Sequence, residues 1–213
     1  PYLIAEPTVR SVTDMFYALR EAGESRFPGI TVKNEYYLMG YSQGGWATMT
    51  LHKALEQEFA GDFNLAGSVC GAGPYNMYNM FLGISSITEY PMPSYLCYII
   101  NAYKAYNQFT NPVSDILNSP YSPLLESLYN GTLSLVQINS QLTTSVPGLF
   151  KSEFISGFTT SPDYTSVRVA LNNNSIVPYH TFIPLLLVHG EGDTHVSPST
   201  TETMYTAMVN AGT

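Results

Sequence analysis

Cysteine is nearly absent: only Cys70 and Cys97 occur in 213 residues, too few for a disulfide framework or a four-ligand zinc site. Two buried thiols are expected rather than a bridge between them. Basic residues are also scarce. Eight Lys and Arg stand against sixteen Asp and Glu, and the resulting net charge of −8 repels phosphate backbones and anionic membrane surfaces, which excludes nucleic acid as a partner. No run approaches the roughly 18 to 20 apolar residues that span a bilayer. Residues 1–20 carry no charged start, apolar middle and small-residue cleavage site, so either the chain acts inside the cell or its targeting segment lies outside this sequence.

What is present describes a packed globule. Apolar residues make up 45% of the chain and charged ones 11%, a balance that excludes long disorder. The length suits one domain with a modest insertion, not two ordinary domains. Low Lys and Arg with 17 Tyr, 16 Gly and 14 Pro fits a secreted, periplasmic or cell-surface protein.

Hydrophobic periodicity gives the order of elements. Val9, Val12, Phe16 and Leu19 share a helical face over residues 8–22, and Gly23 stands where a left-handed C-cap would end the helix. Glu35 to Met39 reads as a short buried strand stopped by Gly40, and Ala47, Leu51, Leu55 and Phe59 then recur four apart on a second helix. Two further apolar runs, Leu65 to Cys70 and Pro184 to Val188, end in Gly-rich turns and suit parallel strands buried on both faces. The last segment opens with a capping-box pattern, Ser199-Thr200-Thr201-Glu202, and reaches Gly212 at its C-cap. Residues 75–180 differ in texture: Pro, Asn, Ser and Tyr are frequent, helical patches such as Tyr95 to Tyr106 and Tyr164 to Leu171 are short, and Asn172-Asn173-Asn174 reads as a loop. This stretch is expected to be a mainly helical insertion, or cap, between core segments 1–74 and 181–213. Asn130 and Asn173 open glycosylation sequons, which matter only in a cell that glycosylates exported proteins.

Gly40-Tyr41-Ser42-Gln43-Gly44 fits G-x-S-x-G. In a chain of this composition the pentapeptide arises by accident about one time in ten, so its context carries the weight. It lies between a buried strand and an amphipathic helix, where a tight turn thrusts a serine into the open. Gly40 and Gly44 are expected to permit strand and helix to pass closely. Ser42 would attack an acyl carbonyl while the backbone N–H of Gln43 holds the developing oxyanion. The competing interpretation is an inert turn in which Ser42 only caps a helix.

An acid follows the later strand: Asp193 in His189-Gly190-Glu191-Gly192-Asp193-Thr194-His195, with Glu191 the weaker candidate. A turn aspartate that binds backbone N–H groups would look the same. Of the four histidines, His52 lies inside a helix, His180 in the insertion and His189 at a strand end, and each is expected to be structural. His195 is too near the acid in sequence to be supported by it and also reach Ser42.

Together LMGYSQGGW, CGAGPYNM and HGEGDTHV resemble α/β-hydrolases, and among them the secretory lipase-like esterases with a large helical cap. The resemblance implies an α/β-hydrolase fold, a mostly parallel sheet flanked by helices, with Ser42 as nucleophile, Asp193 as acid and the Gln43 N–H in the oxyanion hole. It implies a histidine beyond Thr213, and first strands and a second oxyanion donor before Pro1, so that the chain is a fragment whose partners are the flanking segments of the same enzyme. The activity implied is hydrolysis of carboxylic esters or lipids through an acyl-enzyme, with no metal or cofactor and an apolar acyl pocket roofed by the cap. A serine peptidase on the same scaffold and a non-catalytic binding module are the alternatives.

Overall fold

The computed structural model describes residues 1–213, the side chain of Glu24 excepted. The elements run α1 (Ala5–Arg26), β1 (Tyr36–Tyr41), α2 (Gln43–Gln57), β2 (Leu65–Gly71), then seven helices, α3 (Met77–Ser85), α4 (Pro93–Ala105), α5 (Tyr121–Leu128), α6 (Leu135–Asn139), α7 (Val146–Leu149), α8 (Ser152–Gly157) and α9 (Thr165–Asn173), and finally β3 (Leu185–Val188) and α10 (Ser199–Asn210). The chain divides into two compact units, one built from residues 3–75 and 176–213 and one from residues 76–175.

The first unit holds a parallel sheet of order β1-β2-β3. Its core forms on one face, where Phe16 of α1 and Leu51 and Leu55 of α2 pack with Tyr36, Phe63 and Leu65. The rings of Phe16 and Tyr36 lie 4.5 Å apart. Burying an aliphatic side chain of this kind contributes about 1.5 to 3 kcal/mol, which explains why apolar residues at helical spacing on α1 and α2 dock here. Leu19 falls outside that contact and stays exposed.

Several boundaries differ from the sequence expectation, each for a local reason. Gly23 does not end α1, which continues to Arg26. A side chain at Gly23 would meet the Val32 methyl, so the glycine answers to packing rather than to a cap. Gly40 lies within β1 instead of stopping it. The N-cap of α10 is Pro198, with no side-chain cap bond, so the box read at Ser199 to Glu202 is not formed. Gly212 does take the left-handed conformation just past that helix, at φ 96°. Asn172 and Asn173 belong to α9, and Asn174 caps it by donating to the Ala170 carbonyl through its backbone and its carboxamide.

The larger correction concerns burial of the sheet. Both faces were expected to be covered, but β1 and β3 alternate: Tyr37, Met39 and Tyr41 of β1 and Leu186 and Val188 of β3 are exposed. The pairing of Met39 with Val69 and of Val69 with Leu186 aligns them across the face opposite α1 and α2.

The second unit has its own core, in which Phe81 meets Phe158 at 4.5 Å and Phe150 at 5.4 Å, and Phe154 meets Tyr164 at 5.0 Å. Cys97 is buried in this unit and Cys70 in the other, both as free thiols. Burial alone pushes each thiol pKa up to about 12, so both are inert at neutral pH. No helix among the described residues is long and apolar enough to cross a membrane.

Candidate active site

Ser42 joins β1 to α2 in a sharp turn at φ 56°, ψ −119°. Positive φ in a residue with a Cβ is strained, by about 1 to 3 kcal/mol. The Ser42 N–H donates to the Gly71 carbonyl at 2.8 Å, and the Ser42 carbonyl accepts from the Trp46 N–H at 3.1 Å. These bonds, with Trp46 fully buried, hold the turn. Ser42 occupies the N-cap of α2, yet its side chain makes no cap hydrogen bond. The inert N-capping interpretation therefore lacks the contact that defines it, and the hydroxyl stays available at the positive end of the helix.

The close approach behind the turn rests on different glycines from those expected. A Cβ on Gly40 would run into the Gly44 backbone, as the pattern implied, but one on Gly44 would meet nothing within 4 Å. The second crowded position is Gly45, where a Cβ would strike the Gly71 carbonyl. Gly73 adds a third, because a side chain there would come within 2.8 Å of the Trp46 nitrogen. Gly45 was legible only as the second glycine of a pair; the G-x-S-x-G pattern points at its neighbour.

All three parallel strands end at the same edge. The bond from Ser42 N–H to Gly71 is followed by one from Ala72 N–H to the Val188 carbonyl at 2.8 Å, so the ends of β1, β2 and β3 are tied in sequence. At about 4.8 Å per strand, the start of the acid loop after β3 lies about 10 Å from the serine turn.

Asp193 sits in that loop, its Oδ1 accepting from the N–H groups of His195 at 2.8 Å and Val196 at 3.0 Å. Its Oδ2 lies 3.4 Å from His189 Nε2. Desolvation pushes the Asp193 pKa up, but the Val196 and His195 amides and the nearby His189 and His195 together outweigh it, and the net shift is downward. The carboxylate is thus held ionised, with Oδ2 the oxygen left for a further donor. Glu191 is exposed.

The histidines separate by their bonds. His52 is fully buried inside α2, with Nδ1 2.8 Å from Ser68 Oγ and Nε2 2.9 Å from Thr181 Oγ1. Burial lowers its pKa despite the opposing charge of Glu56. His189 Nε2 lies 3.0 Å from the Val196 carbonyl, an acceptor only, so Nε2 bears a proton, and Nδ1 lies 2.6 Å from Thr201 Oγ1. Both rings are fully engaged. His180 stacks edge-on with Phe182 at 4.3 Å. His195 remains two residues from the carboxylate that binds its own backbone. The structure thus brings Ser42, Gln43 and the loop that carries Asp193 to one end of the sheet. It also adds His189 and Thr201, which fix the acid loop; only the adjacency of His189 to Asp193 hinted at this.

The sequence pattern of the secretory lipase family matches residues 7–213. Among solved structures, the chain is similar to the rice cell wall degrading esterase LipA from Xanthomonas oryzae (TM-score 0.89, 23% identity), covering 100% of this chain and 57% of that one. It is similar to a putative hydrolase from Legionella pneumophila (TM-score 0.85, 25% identity; 99% and 56% covered). It is similar also to Candida antarctica lipase A in its closed state (TM-score 0.70, 14% identity; 98% and 47% covered). These likenesses give an α/β-hydrolase fold, and the chain spans little more than half the length of the first two structures. No curated protein matches the sequence.

Proposed function

Since the chain belongs to the secretory lipase family, we propose that it carries the nucleophile and the acid of a secreted carboxylic ester hydrolase acting through an acyl-enzyme. The observation that carries this is Ser42, strained at positive φ between strand and helix with a hydroxyl that caps nothing.

In this reading Ser42 Oγ bonds to the ester carbonyl carbon as its proton passes to an imidazole. The oxyanion is held by the Gln43 N–H at the start of α2, where the helix dipole adds to the stabilisation. Collapse of the intermediate breaks the C–O bond to the alcohol, which leaves with the proton from the imidazole. Water, deprotonated by the same imidazole, then cleaves the acyl-Ser42 ester. Asp193 orients and charge-stabilises that imidazole through Oδ2, the oxygen its backbone donors leave open. The imidazole itself is assigned to polypeptide outside these residues: His52 and His189 are already bonded at both nitrogens, His195 gives its backbone N–H to the acid two residues away, and His180 packs on Phe182. The helical unit is assigned as the cap, and the substrate class is an ester or lipid. The cavity inside that unit, bordered by Met80, Phe81, Ile100 and Phe150 among others, is about 30 Å³.

The test is labelling with a fluorophosphonate, followed by peptide mapping, on a polypeptide that includes the flanks as well as residues 1–213. A single adduct on Ser42, lost in Ser42→Ala, is expected. No adduct in a folded sample with both flanks present would overturn the esterase and favour a binding module.

A further inference from the structure

Two Asn-x-Ser/Thr triplets occur in the helical unit, and ester hydrolysis uses neither: Asn130-Gly131-Thr132 and Asn173-Asn174-Ser175. Their local structures differ. Asn173 is the last residue of α9. Its triplet is wound into the helix end, where Asn174 is buried and the Ser175 hydroxyl both donates to the Leu171 carbonyl at 2.8 Å and accepts from the Met77 N–H at 2.9 Å. The hydroxyl that completes the triplet is committed to holding the fold.

Asn130 follows α5 in an irregular connection to α6, and every residue from 130 to 136 is exposed except the half-buried Leu133. Gly131 takes φ 87°, a conformation other residues adopt at a cost. The turn brings both Thr132 donors onto the asparagine: its N–H reaches Asn130 Oδ1 at 3.0 Å and its Oγ1 reaches the same atom at 2.6 Å. The carboxamide is therefore pinned by its oxygen, on an exposed asparagine whose partner hydroxyl bonds within the triplet itself.

We propose that Asn130 is an N-glycosylation site, its substrate a lipid-pyrophosphate-linked oligosaccharide. The bond from Asn130 Nδ2 to the anomeric carbon forms as the bond from that carbon to the pyrophosphate oxygen breaks. The lipid pyrophosphate leaves with the electron pair, and the amide proton passes to a base of the transferase. The chain belongs to the secretory lipase family, and such a donor meets it where the cell that exports it glycosylates exported proteins. The inference stands apart from the assignment of Ser42 and Asp193, since it asks nothing of catalysis.

The experiment is export of the full chain, behind a cleavable leader, from a eukaryotic secretory host, with intact mass measured before and after peptide N-glycosidase. The expected result is a glycan mass that the enzyme removes, converting Asn130 to Asp in the mapped peptide. Asn130→Gln and Thr132→Ala each abolish it, Thr132→Ser retains it, and Asn173→Gln leaves the Asn130 glycan in place. Occupancy is read on any molecule that has lost its leader, so a variant that exports poorly is still scored. An unmodified Asn130 in leader-cleaved wild-type chain overturns the proposal, as does an Asn130 glycan that persists in Thr132→Ala.

Discussion

At the scale of single residues, Ser42 costs the fold stability and Asp193 adds to it. Ser42 is strained by its backbone, and the strain belongs to its Cβ rather than to its hydroxyl. Ser42→Ala keeps the Cβ and removes the nucleophile; Ser42→Gly removes both. Glycine gains relief of about 1 to 3 kcal/mol and loses about 0.5 to 1 kcal/mol through the freer unfolded chain. Ser42→Gly is therefore expected to be more stable than Ser42→Ala by about 1 kcal/mol, read from urea midpoints at equal slope. A Ser42→Gly less stable than Ser42→Ala by about 0.5 to 1 kcal/mol would mean that the turn imposes no strain. Asp193 instead contributes through its charge. Its folded pKa lies below the unfolded value because the Val196 and His195 amides and the neighbouring histidines outweigh desolvation. Its contribution is present above the unfolded pKa of about 3.9 and is lost as pH falls through the depressed folded value. The stability difference between wild type and Asp193→Asn should accordingly persist from pH 7 down to about 4 and then shrink. A difference independent of pH would show that the carboxylate charge takes no part.

At the scale of elements, the passage of α2 across β2 is set by glycines in the first turn of the helix. Gly45→Ala places a methyl against the Gly71 carbonyl, which backbone must move to admit. Destabilisation of about 1 to 3 kcal/mol is expected, with loss of Ser42 labelling as the turn shifts. Gly44→Ala meets open space and is expected to be neutral or to gain up to about 1 kcal/mol from helix propensity. Paired denaturation curves separate the two, and the opposite ranking would refute the packing argument. The sequence made the strand, turn and helix legible because a strand with apolar residues, a Gly-x-Ser-x-Gly turn and a four-residue apolar repeat are all local signals. It pointed to Gly44 because a motif records spacing and not which atoms approach. The same limit applies to Ser199 to Glu202, whose residue types suit a capping box while Pro198 takes the cap, and to Asn172 and Asn173, polar residues carried into α9 by the apolar face of Val167, Ala170 and Leu171. The acid loop was legible as a Gly-rich turn after a strand, but the His189 to Thr201 bond spans two elements and leaves no trace in spacing.

At the scale of the whole molecule, the informative feature is the face of the sheet away from α1 and α2. Short apolar runs such as Leu185 to Val188 predict strands and also predict cover on both sides, since periodicity reports what a residue prefers and not whether a neighbour is there. Met39 is 84% exposed and Tyr37 72%, and Leu186 stands in line with Met39 across the sheet at 56%. Apolar side chains in such a contiguous row seek cover, and exposed patches of this kind drive association. β1 and β3 are the edge strands of this sheet, and edge strands are themselves sites of association. A polypeptide of residues 1–213 alone is therefore expected to self-associate with rising concentration in sedimentation velocity. The double variant Met39→Glu, Leu186→Glu should raise the monomer fraction while leaving the helical core intact by far-UV circular dichroism, because neither side chain contributes to the packing of Phe16, Leu51 and Leu55. Wild-type chain that stays monomeric and binds no hydrophobic dye would mean that this face is less available than its exposure implies. Association that survives both substitutions would move the contact to another surface.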